Sequence, residues 1–458
     1  MKRILAIATI AIRNAVRSRI VILLLGILLL VIIGLPLTIK GDGTVSGYVQ
    51  VLLGYTLGFA QVLLSFATLW AGCAAVSLEI QDRQIQLVAV KPIRRAEIWA
   101  GKWLGLLVLN AILLGFCGVT TYALLKWTMS KRVVSAEERA KLDEEILTAR
   151  RPIPPVPVNV DDAARKQLEQ ARARNALPPD VSAERAYEAI RHSLLMQAYT
   201  VPPHGKLKWR FDLPDDFPSD HSLLFRFHFS SSLIGFERIA GTWRIGRASS
   251  AERYEQKLES LPLTTQSFRV PGSAVTGRGA LEVEFENRHP TSVTVLFPPE
   301  DGLVLMAYGR TFEDNFIRAL LSMFFGLAFL SALGVTAGSL FSMPVASFFS
   351  FCVLLIVGLS RFLQSLGGSE ISDLFRPEKA STIAVLWNQL LKLVYEGVSA
   401  VSGPLQNLSP LDLLSKGQLI TLPMLGHDFV FKCVIYGGVL ALFSSWVLNR
   451  RELALPTP

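Results

Sequence analysis

The sequence predicts an α-helical polytopic membrane protein with six transmembrane helices and an inserted α+β extracytoplasmic domain that contains a β-sandwich. Hydrophobic residues make up 51% of the 458 residues and charged residues only 18%, whereas soluble domains carry about 25% charged residues. Several runs without a charged residue or a histidine are long enough for the ~20 apolar residues that cross a bilayer as a helix. Residues 129–312 contain no such run, which predicts a separate domain between two membrane portions, 1–128 and 313–458.

The residues before the first span predict an amphipathic helix in the headgroup layer of the membrane. Residues 1–19 contain basic side chains and no acidic one. On a helical wheel, Lys2, Arg13 and Arg17 lie on one side and most of the apolar residues on the other, as in interfacial helices. A secretory signal peptide is the alternative, but Arg13 and Arg17 interrupt the apolar region and no small-residue cleavage site follows cleanly.

Three apolar runs predict the first three spans: Ile20–Ile39, Gly47–Leu78 and Trp103–Leu125. The second has 32 residues, so its helix must tilt or continue beyond the membrane. Polar side chains inside spans either line a path or form hydrogen bonds between helices. Those of the second and third runs are Gln50, Gln61 and Asn110.

A charged connector, Glu79–Lys102, joins the second and third runs. Its basic residues outnumber its acidic ones close to two span ends, which predicts a cytoplasmic location. Gln81–Val90 is long enough for a short helix, and Pro92 would end it because proline has no N–H to donate and restricts its predecessor. The connector is either a helix on which a soluble partner acts or an ordinary basic loop that only fixes topology.

The connector has Glu79 at the end of the second run, the sequence KPIRR at residues 91–95, and the pair Gly101 and Lys102 before the third run. This order of residues resembles the signature of the ABC-2 permease family. In that family an acidic residue ends the second span, a K-P-x-x-R turn follows, and a G-K pair begins the third span. The resemblance covers the chain before the inserted domain and, more loosely, the chain after it. The matching residues, which are the candidate ATPase-docking residues, are Glu79, Arg83, Leu87, Lys91, Pro92, Arg94, Arg95, Gly101 and Lys102.

The resemblance carries several expectations. The connector would contain a coupling helix that docks on a separate ATPase, and residues 1–19 would form the family's elbow helix. ATP and Mg would be bound by that ATPase, so no cofactor is expected in this chain. Two permeases, as a homodimer or a pseudo-dimer, would pair with two ATPase subunits.

The inserted domain begins with a part, residues 131–200, for which the sequence predicts helices. Ser135 and Glu138 have the spacing of a capping box before a helix over Arg139–Arg150. Arg151–Val158 is rich in proline and predicts an extended segment. Further helices are predicted over Asp161–Arg174 and Ser182–Gln197.

Residues 206–310 change to a period of two, which predicts half-buried strands. Several such strands separated by turns favour a β-sandwich. The alternating apolar positions are Leu207, Trp209, Phe211, Leu213, Phe225, Phe227, Phe229, Leu281, Val283, Phe285, Val293, Val295 and Phe297. Trp243 either belongs to the core or is exposed to stack on a sugar.

No motif in the chain predicts catalysis or metal binding. HExxH, GxSxG, GxxxxGK[ST] and a Cys/His metal set are all absent from the sequence. His221 and His228 lie near several aspartates, but their spacing of seven would place them on opposite faces of a strand. An acidic surface loop is the better interpretation there. We therefore expect no catalytic and no metal site, and interpret residues 206–310 as a binding or docking domain for a periplasmic partner.

The last part of the chain predicts spans four to six. Ala319–Ser360 lacks charged residues and is too long for one span, and Gly338, Ser339 and Pro344 predict a turn within it. Residues 366–427 would form re-entrant or amphipathic segments at the outer edge of the bilayer. Phe429–Asn449 would be the sixth span, with Lys432 extending to the outer surface.

Because no span delimited in this way contains an acidic residue, ion-coupled transport is disfavoured and a partner would have to supply energy. The expected function is therefore that of a permease subunit of an ATP-driven exporter in a bacterial inner membrane, with both termini cytoplasmic. The net charge of +9 is accounted for mainly by the basic residues of the predicted cytoplasmic segments. It therefore gives no reason to propose binding to nucleic acid. The alternatives are a non-transporting scaffold or sensor whose β-domain binds a glycan or a protein, and a membrane enzyme.

Overall fold

The computed structural model describes most of the chain, which divides into two compact units. The helical unit comprises Met1–Ala149 and Thr311–Pro458, and the β unit comprises Arg150–Arg310. The described residues are 2–38, 45–83, 94–131, 147–174, 183–213, 222–232, 237–247, 253–272, 280–290, 292–365 and 410–450.

Long helices dominate the helical unit. In chain order they are α1 (Lys2–Arg17), α2 (Arg19–Thr38), α3 (Val45–Gln81), α4 (Arg95–Lys131), α7 (Phe312–Leu340), α8 (Met343–Ser365), α9 (Pro410–Ser415), α10 (Leu422–Asp428), a π helix (Phe429–Tyr436) and α11 (Gly437–Arg450). The last three form one continuous helix, Leu422–Arg450.

Four helices in the described part of the chain are long and apolar enough to cross a membrane. They are Gly47–Gln81, Arg95–Ser130, Phe312–Leu340 and Leu422–Arg450. The pair α1 and α2, bent by 68°, would add a fifth span if it counts as one, and α8 contains a shorter apolar helix, Met343–Gly358. The helices indicate a membrane protein, while the arrangement in six spans stays a prediction.

Glycine allows α3 and α7 to pack with their backbones in close contact. A Cβ on Gly72 would lie 3.0 Å from the Cα of Gly334, and a Cβ on Gly338 would lie 2.5 Å from the carbonyl oxygen of Cys73. Gly338 is therefore part of a helix contact and not of the predicted turn. The chain turns later, at Phe341 and Ser342, between the end of α7 and the start of α8.

The predicted N-terminal helix is present as α1, and its small side chains form its buried face. Ala8, Ala11 and Ala15 are buried, and α1 packs mainly against α4. Leu5 and Val16 are exposed, together with most of the basic residues of the helix. This exposed apolar and basic surface is what the prediction of a helix in the headgroup layer requires.

The β unit contains two helices, α5 (Asp161–Ala173) and α6 (Ala183–Ala198), and eleven strands in its described residues. The strands are β1 (Thr148–Ile153), β2 (Thr200–Val201), β3 (Lys206–Phe211), β4 (Leu223–Phe227), β5 (Ser230–Ser231), β6 (Ile239–Arg247), β7 (Tyr254–Ser260), β8 (Gln266–Val270), β9 (Leu281–Asn287), β10 (Val295–Leu296) and β11 (Leu303–Thr311). They form two four-stranded sheets, β1-β11-β4-β8 and β3-β9-β6-β7, and a small sheet, β2-β10-β5.

Within the described residues of the β unit, an aromatic cluster fills the interior, as a β-sandwich requires. Trp243 of β6 lies opposite Phe285 of β9, and Phe225 of β4 lies opposite Phe268 of β8. All four belong to one buried cluster. Trp243 has no exposed surface, which contradicts the alternative that it stacks on a sugar.

The predicted helix over Arg139–Arg150 is wrong at its end, because Thr148–Ile153 is strand β1. Arg150 is buried, and its Nη1 donates hydrogen bonds to the carbonyl oxygens of Ser222 (3.1 Å) and Met306 (3.2 Å). These tertiary hydrogen bonds and the sheet override the local helical signal. Ser135 and Glu138 lie outside the described residues.

Candidate functional site

The two ends of the charged connector meet through a buried ion pair. Glu79 lies in the last turn of α3, and Lys102 lies in the third turn of α4. The Nζ of Lys102 is 2.6 Å from Oε2 of Glu79, and the two side chains are only 3% and 15% exposed. The same Nζ donates a hydrogen bond to the carbonyl oxygen of Ala75. Lys102 therefore joins its own helix to the end of the preceding one.

Helix α3 ends just after Glu79 with a residue in the left-handed region. The N–H of Asp82 donates to the carbonyl of Leu78 over 2.8 Å, and the N–H of Arg83 to that of Ile80 over 3.2 Å. Arg83 has a φ of 59°, the conformation in which many helices end. The chain therefore leaves the helix axis at Arg83, and the exposed side chain of this residue is at the start of the connector.

Helix α4 begins with a backbone cap made by Arg94 and Glu97. The N–H of Arg94 donates to Oε2 of Glu97 over 3.0 Å, and the N–H of Glu97 donates to the carbonyl of Arg94 over 2.9 Å. A glutamate at the third helical position commonly accepts from the capping residue in this way. Glu97 thus has a structural role at the start of the helix.

Gly101 lets the N-terminal helix approach α4 at this level. A Cβ on Gly101 would lie 2.7 Å from the Cβ of Ile7, and a Cβ on Gly105 would lie 2.6 Å from the carbonyl oxygen of Ala8. Both distances are shorter than real Cβ atoms tolerate. The G-K pair of the resemblance therefore has two structural functions: Gly101 contacts α1 and Lys102 contacts α3.

The structure divides the candidate docking residues into an inner and an outer set. Glu79, Gly101 and Lys102 lie in the packed interior or at its edge, whereas Arg83 and Arg94 are exposed and Arg95 is half-buried. Leu87, Lys91 and Pro92 lie outside the described residues, as does the predicted helix beyond Arg83. Docking on an ATPase would therefore use the outer set, and the inner set would hold the connector on the helices.

A cavity of about 480 Å³ lies beside this ion pair. Arg17 and Arg19 contribute basic groups from the bend between α1 and α2, and carboxylates come from Glu79 in α3 and from Asp82 just after it. Because both signs of charge line the cavity, it has no strong preference for an anion or a cation.

The polar residues of the predicted spans behave in two ways. Asn110 of α4 accepts a hydrogen bond from Oγ1 of Thr68 in α3 over 2.8 Å, which confirms the alternative of a bond between helices. Gln61 lines a cavity, and its Oε1 is buried without a hydrogen-bond partner in the described part of the chain.

A second buried ion pair lies in the last long helix, where the sequence analysis expected none. The Nζ of Lys432 is 2.8 Å from Oδ1 of Asp428, and both side chains are 8% exposed. Ser322 of α7 donates a hydrogen bond to the other carboxylate oxygen of Asp428. The prediction that Lys432 extends to the outer surface is therefore wrong, because Asp428 holds it inside the protein.

Two more polar residues of α7 hold the segment that precedes this helix. Asn315 donates to the carbonyl of Gln418 over 2.8 Å and accepts from the N–H of Ile420 over 2.8 Å. Nη1 of Arg318 donates to the carbonyl of Ile420 over 2.9 Å, and its Nη2 lies 2.9 Å from Oδ2 of Asp314. The segment is fixed by side chains that a hydropathy pattern does not identify.

The sequence contained a signal for the second ion pair. Asp428 and Lys432 have the i,i+4 spacing at which side chains meet on a helix. The sixth span was predicted over Phe429–Asn449, beginning just after Asp428, whereas the helix begins at Leu422. A candidate span therefore contains an acidic residue, and the reason for disfavouring ion-coupled transport no longer holds, although the pair as a whole carries no net charge.

In the β unit, one face of a sheet carries a network of ion pairs. Nη1 of Arg244 lies 3.1 Å from Oε1 of Glu284 and 2.7 Å from Oε2 of Glu286, and Lys206 and Lys208 each lie 3.4 Å from Glu284. Burial alone would raise the pKa of Glu284, but hydrogen bonds from Arg244 and Lys206 outweigh it and hold the pKa below its ordinary value.

The described residues contain no group of three or more His, Cys, Asp and Glu side chains that could hold a metal ion. Nε2 of His228 lies 3.4 Å from Oδ1 of Asp301. His221 and the acidic residues of the preceding loop beyond Leu213 lie outside the described residues, so the interpretation of that loop stays a prediction.

Comparison of the chain with protein-family models, with curated proteins and with solved structures finds no match. The functional assignment therefore rests on the residues and on their geometry.

Proposed function

We propose that the chain is the transmembrane permease subunit of an ATP-driven exporter of the ABC-2 type, energised by a separate ATPase that docks on the connector 79–102. The observation that supports the proposal is the ion pair between Glu79 and Lys102. It joins the two ends of the connector to each other, so that a displacement of the connector would act on both helices at once.

The helices on either side of the connector are suited to transmit such a displacement. α3 and α4 each have 37 residues, or about 55 Å at 1.5 Å per residue. α3 packs tightly on α7 through Gly72 and Gly334, and α4 contacts α7 through Nε1 of Trp103, which donates to the carbonyl of Ala328 over 2.9 Å. Movement of the connector would therefore reach a helix that lies after the inserted domain in the sequence.

In this proposal the chain itself is not an enzyme and binds no cofactor. ATP and Mg bind to the partner ATPase, and two copies of the chain, or this chain and a related one, pair with two ATPase subunits. The protein resides in a bacterial inner membrane with both termini in the cytoplasm, and the β unit faces the periplasm. There it receives cargo or binds a periplasmic partner through residues 206–310.

Purification of the tagged full chain from its native host in mild detergent tests the proposal. The expected result is co-elution of a soluble protein with Walker motifs in a ratio of about 1:1, because each permease docks one ATPase. Elution of the chain alone, or only with periplasmic proteins, would contradict it.

A second candidate is a non-transporting scaffold or sensor whose β unit binds a glycan or a protein. The β unit favours this function because a short loop is enough to connect two spans, whereas this unit is a complete β-sandwich. The two candidates differ in what binds to which unit: only the permease binds an ATPase at the connector.

A further inference from the structure

A cavity of about 500 Å³ lies in the helical unit among α3, α7, α8, α9 and the π helix. Its volume falls within the range of about 300–1,000 Å³ that ligand sites occupy. Most of its wall is apolar and includes Phe329, Leu330 and Leu354. Val62 and Leu355 line the cavity and are 50% and 67% exposed. The cavity therefore opens between α3 and α8 on an apolar surface, which in a membrane contacts lipid.

A cation lies in the wall of this apolar cavity. Lys432 is 6% exposed and lines the cavity, whereas its counterion Asp428 lines a neighbouring cavity of about 310 Å³. An ammonium group has three N–H donors, so Lys432 can hold Asp428 and an oxygen of a ligand at the same time. Within the membrane, buried ionisable residues of this kind commonly mark binding sites and pathways.

Gln61 lines the same cavity and carries an acceptor without a partner in the described part of the chain. Oε1 of Gln61 is buried and has no hydrogen-bond partner among the described residues. A buried acceptor left in this state costs about 1–3 kcal/mol, and a hydroxyl donor on a ligand would remove that cost. Ser322 also lines the cavity and adds a hydroxyl group beside Lys432.

The local backbone is of the kind that occurs at functional sites. Lys432 lies in a π helix of eight residues, Phe429–Tyr436, and π-helical segments within α-helices are rare and occur frequently at such sites. Here the π-helical segment contains Lys432 and is followed directly by the regular helix α11.

We propose that this cavity binds a membrane phospholipid whose head group carries a net negative phosphate and a free hydroxyl. The apolar wall and its lateral opening fit acyl chains, Lys432 pairs with the phosphate, and the hydroxyl donates to Oε1 of Gln61. A zwitterionic lipid with a choline head group also presents a phosphate to Lys432, but it has no hydroxyl donor for Oε1 of Gln61, so it satisfies only one of the two polar groups. The proposal holds whether or not the chain is a permease, because it concerns binding and not transport.

The test measures lipid retained by the purified full chain. The chain is reconstituted in nanodiscs of equal parts phosphatidylglycerol and phosphatidylcholine, re-extracted in mild detergent and analysed by native mass spectrometry. The wild type is expected to retain phosphatidylglycerol about tenfold over phosphatidylcholine, which corresponds to about 1.4 kcal/mol.

Gly326→Leu blocks the cavity while the ion pair between Asp428 and Lys432 is kept. Gly326 lines the cavity, and a Cβ there would meet only Nε2 of Gln61, at 3.8 Å. The matched control is Gly115→Leu, because Gly115 is exposed on α4 and a Cβ there meets nothing within 4 Å. Gly326→Leu is expected to lose the retained phosphatidylglycerol, and Gly115→Leu to keep it.

Gln61→Leu is a second variant that leaves both charges in place, and it is expected to reduce the preference for phosphatidylglycerol severalfold. Equal retention of the two lipids by the wild type would overturn the proposal, as would unchanged retention in Gly326→Leu. A change of oligomeric state in Gly326→Leu without a loss of lipid would also overturn it, because the cavity would then be covered by a second copy of the chain. None of these outcomes bears on ATPase binding, so the proposed function is tested separately.

Discussion

Nζ of Lys102 lies 2.6 Å from Oε2 of Glu79, and this contact joins the first turns of one long helix to the last turn of the helix before it. Both groups are mostly removed from solvent, and Lys102 also bonds to the backbone of α3. The pair therefore holds the two ends of the connector together.

Replacement of one member of this pair should destabilise the protein more than replacement of both. Lys102→Met leaves a partly buried carboxylate without its counterion, which costs about 3–5 kcal/mol. Glu79→Gln with Lys102→Met removes both charges and should cost clearly less. Thermal unfolding of the four proteins of the double-mutant cycle in detergent measures the difference. Strictly additive effects would show that the pair does not interact.

The contact between α1 and α4 should not tolerate even one methyl group. A Cβ on Gly101 lies 2.7 Å from the Cβ of Ile7, so Gly101→Ala forces the helices apart and should cost about 1–3 kcal/mol. Gly115→Ala, where a Cβ meets nothing, should be neutral or stabilising by up to about 1 kcal/mol through helix propensity. Unfolding temperatures of the two variants provide the comparison. A Gly101→Ala protein as stable as the wild type would contradict the close approach.

The ion-pair network of the β unit should make this unit sensitive to acid. Hydrogen bonds from basic residues hold the pKa of Glu284 and Glu286 below the ordinary value of 4.5. A depressed pKa in the folded state stabilises the protein above the ordinary value, and this contribution is lost as the pH falls through the folded-state pKa. We therefore expect loss of protection below about pH 4.5, measured by hydrogen exchange of peptides from β9.

The control for this prediction is the variant with Glu284→Gln and Glu286→Gln, which should be less stable at neutral pH and respond less to acid. An acid response of β9 that is the same in the variant and in the wild type would assign it to other groups.

Much of the architecture followed from simple patterns. The charge-free runs around Gly47–Leu78 and Trp103–Leu125 lie within α3 and α4, because hydrophobic length alone requires helices of this kind in a membrane. The alternation around Trp209, Phe225 and Val283 gave buried strand positions, because side chains of a strand point alternately to its two faces. Such patterns are local, and a sequence displays them directly.

What the sequence did not reveal depends on contacts between distant residues. Arg150 lies in a strand because its guanidinium bonds to two carbonyls far along the chain. The carboxylate that pairs with Lys432 is held inside the protein by Ser322 of α7, a residue far from Asp428 in the sequence. In the connector, the pattern identified Gly101 and Lys102, but their separate contacts with α1 and α3 became visible only once the helices were packed.

The asparagine that joins α3 and α4 should contribute to the stability of the helical unit. Asn110 accepts a hydrogen bond from Thr68, and both residues are buried. Asn110→Leu leaves the hydroxyl of Thr68 without its partner and should cost about 1–3 kcal/mol. Asn110→Leu with Thr68→Val removes both polar groups and should recover part of that loss. The free energy of unfolding in detergent measures both effects. If Asn110 served only to line a path through the membrane, neither variant would lower the stability.

The most direct test of the proposed function is the binding of an ATPase to a charge-reversed connector. In the variant with Arg83→Glu and Arg95→Glu, the amount of co-purified ATPase should fall at least about tenfold. The control reverses two exposed arginines of α5 in the β unit, with Arg165→Glu and Arg172→Glu, and should keep the ATPase. Equal amounts of ATPase with both variants, or its loss only with the α5 variant, would contradict docking on the connector.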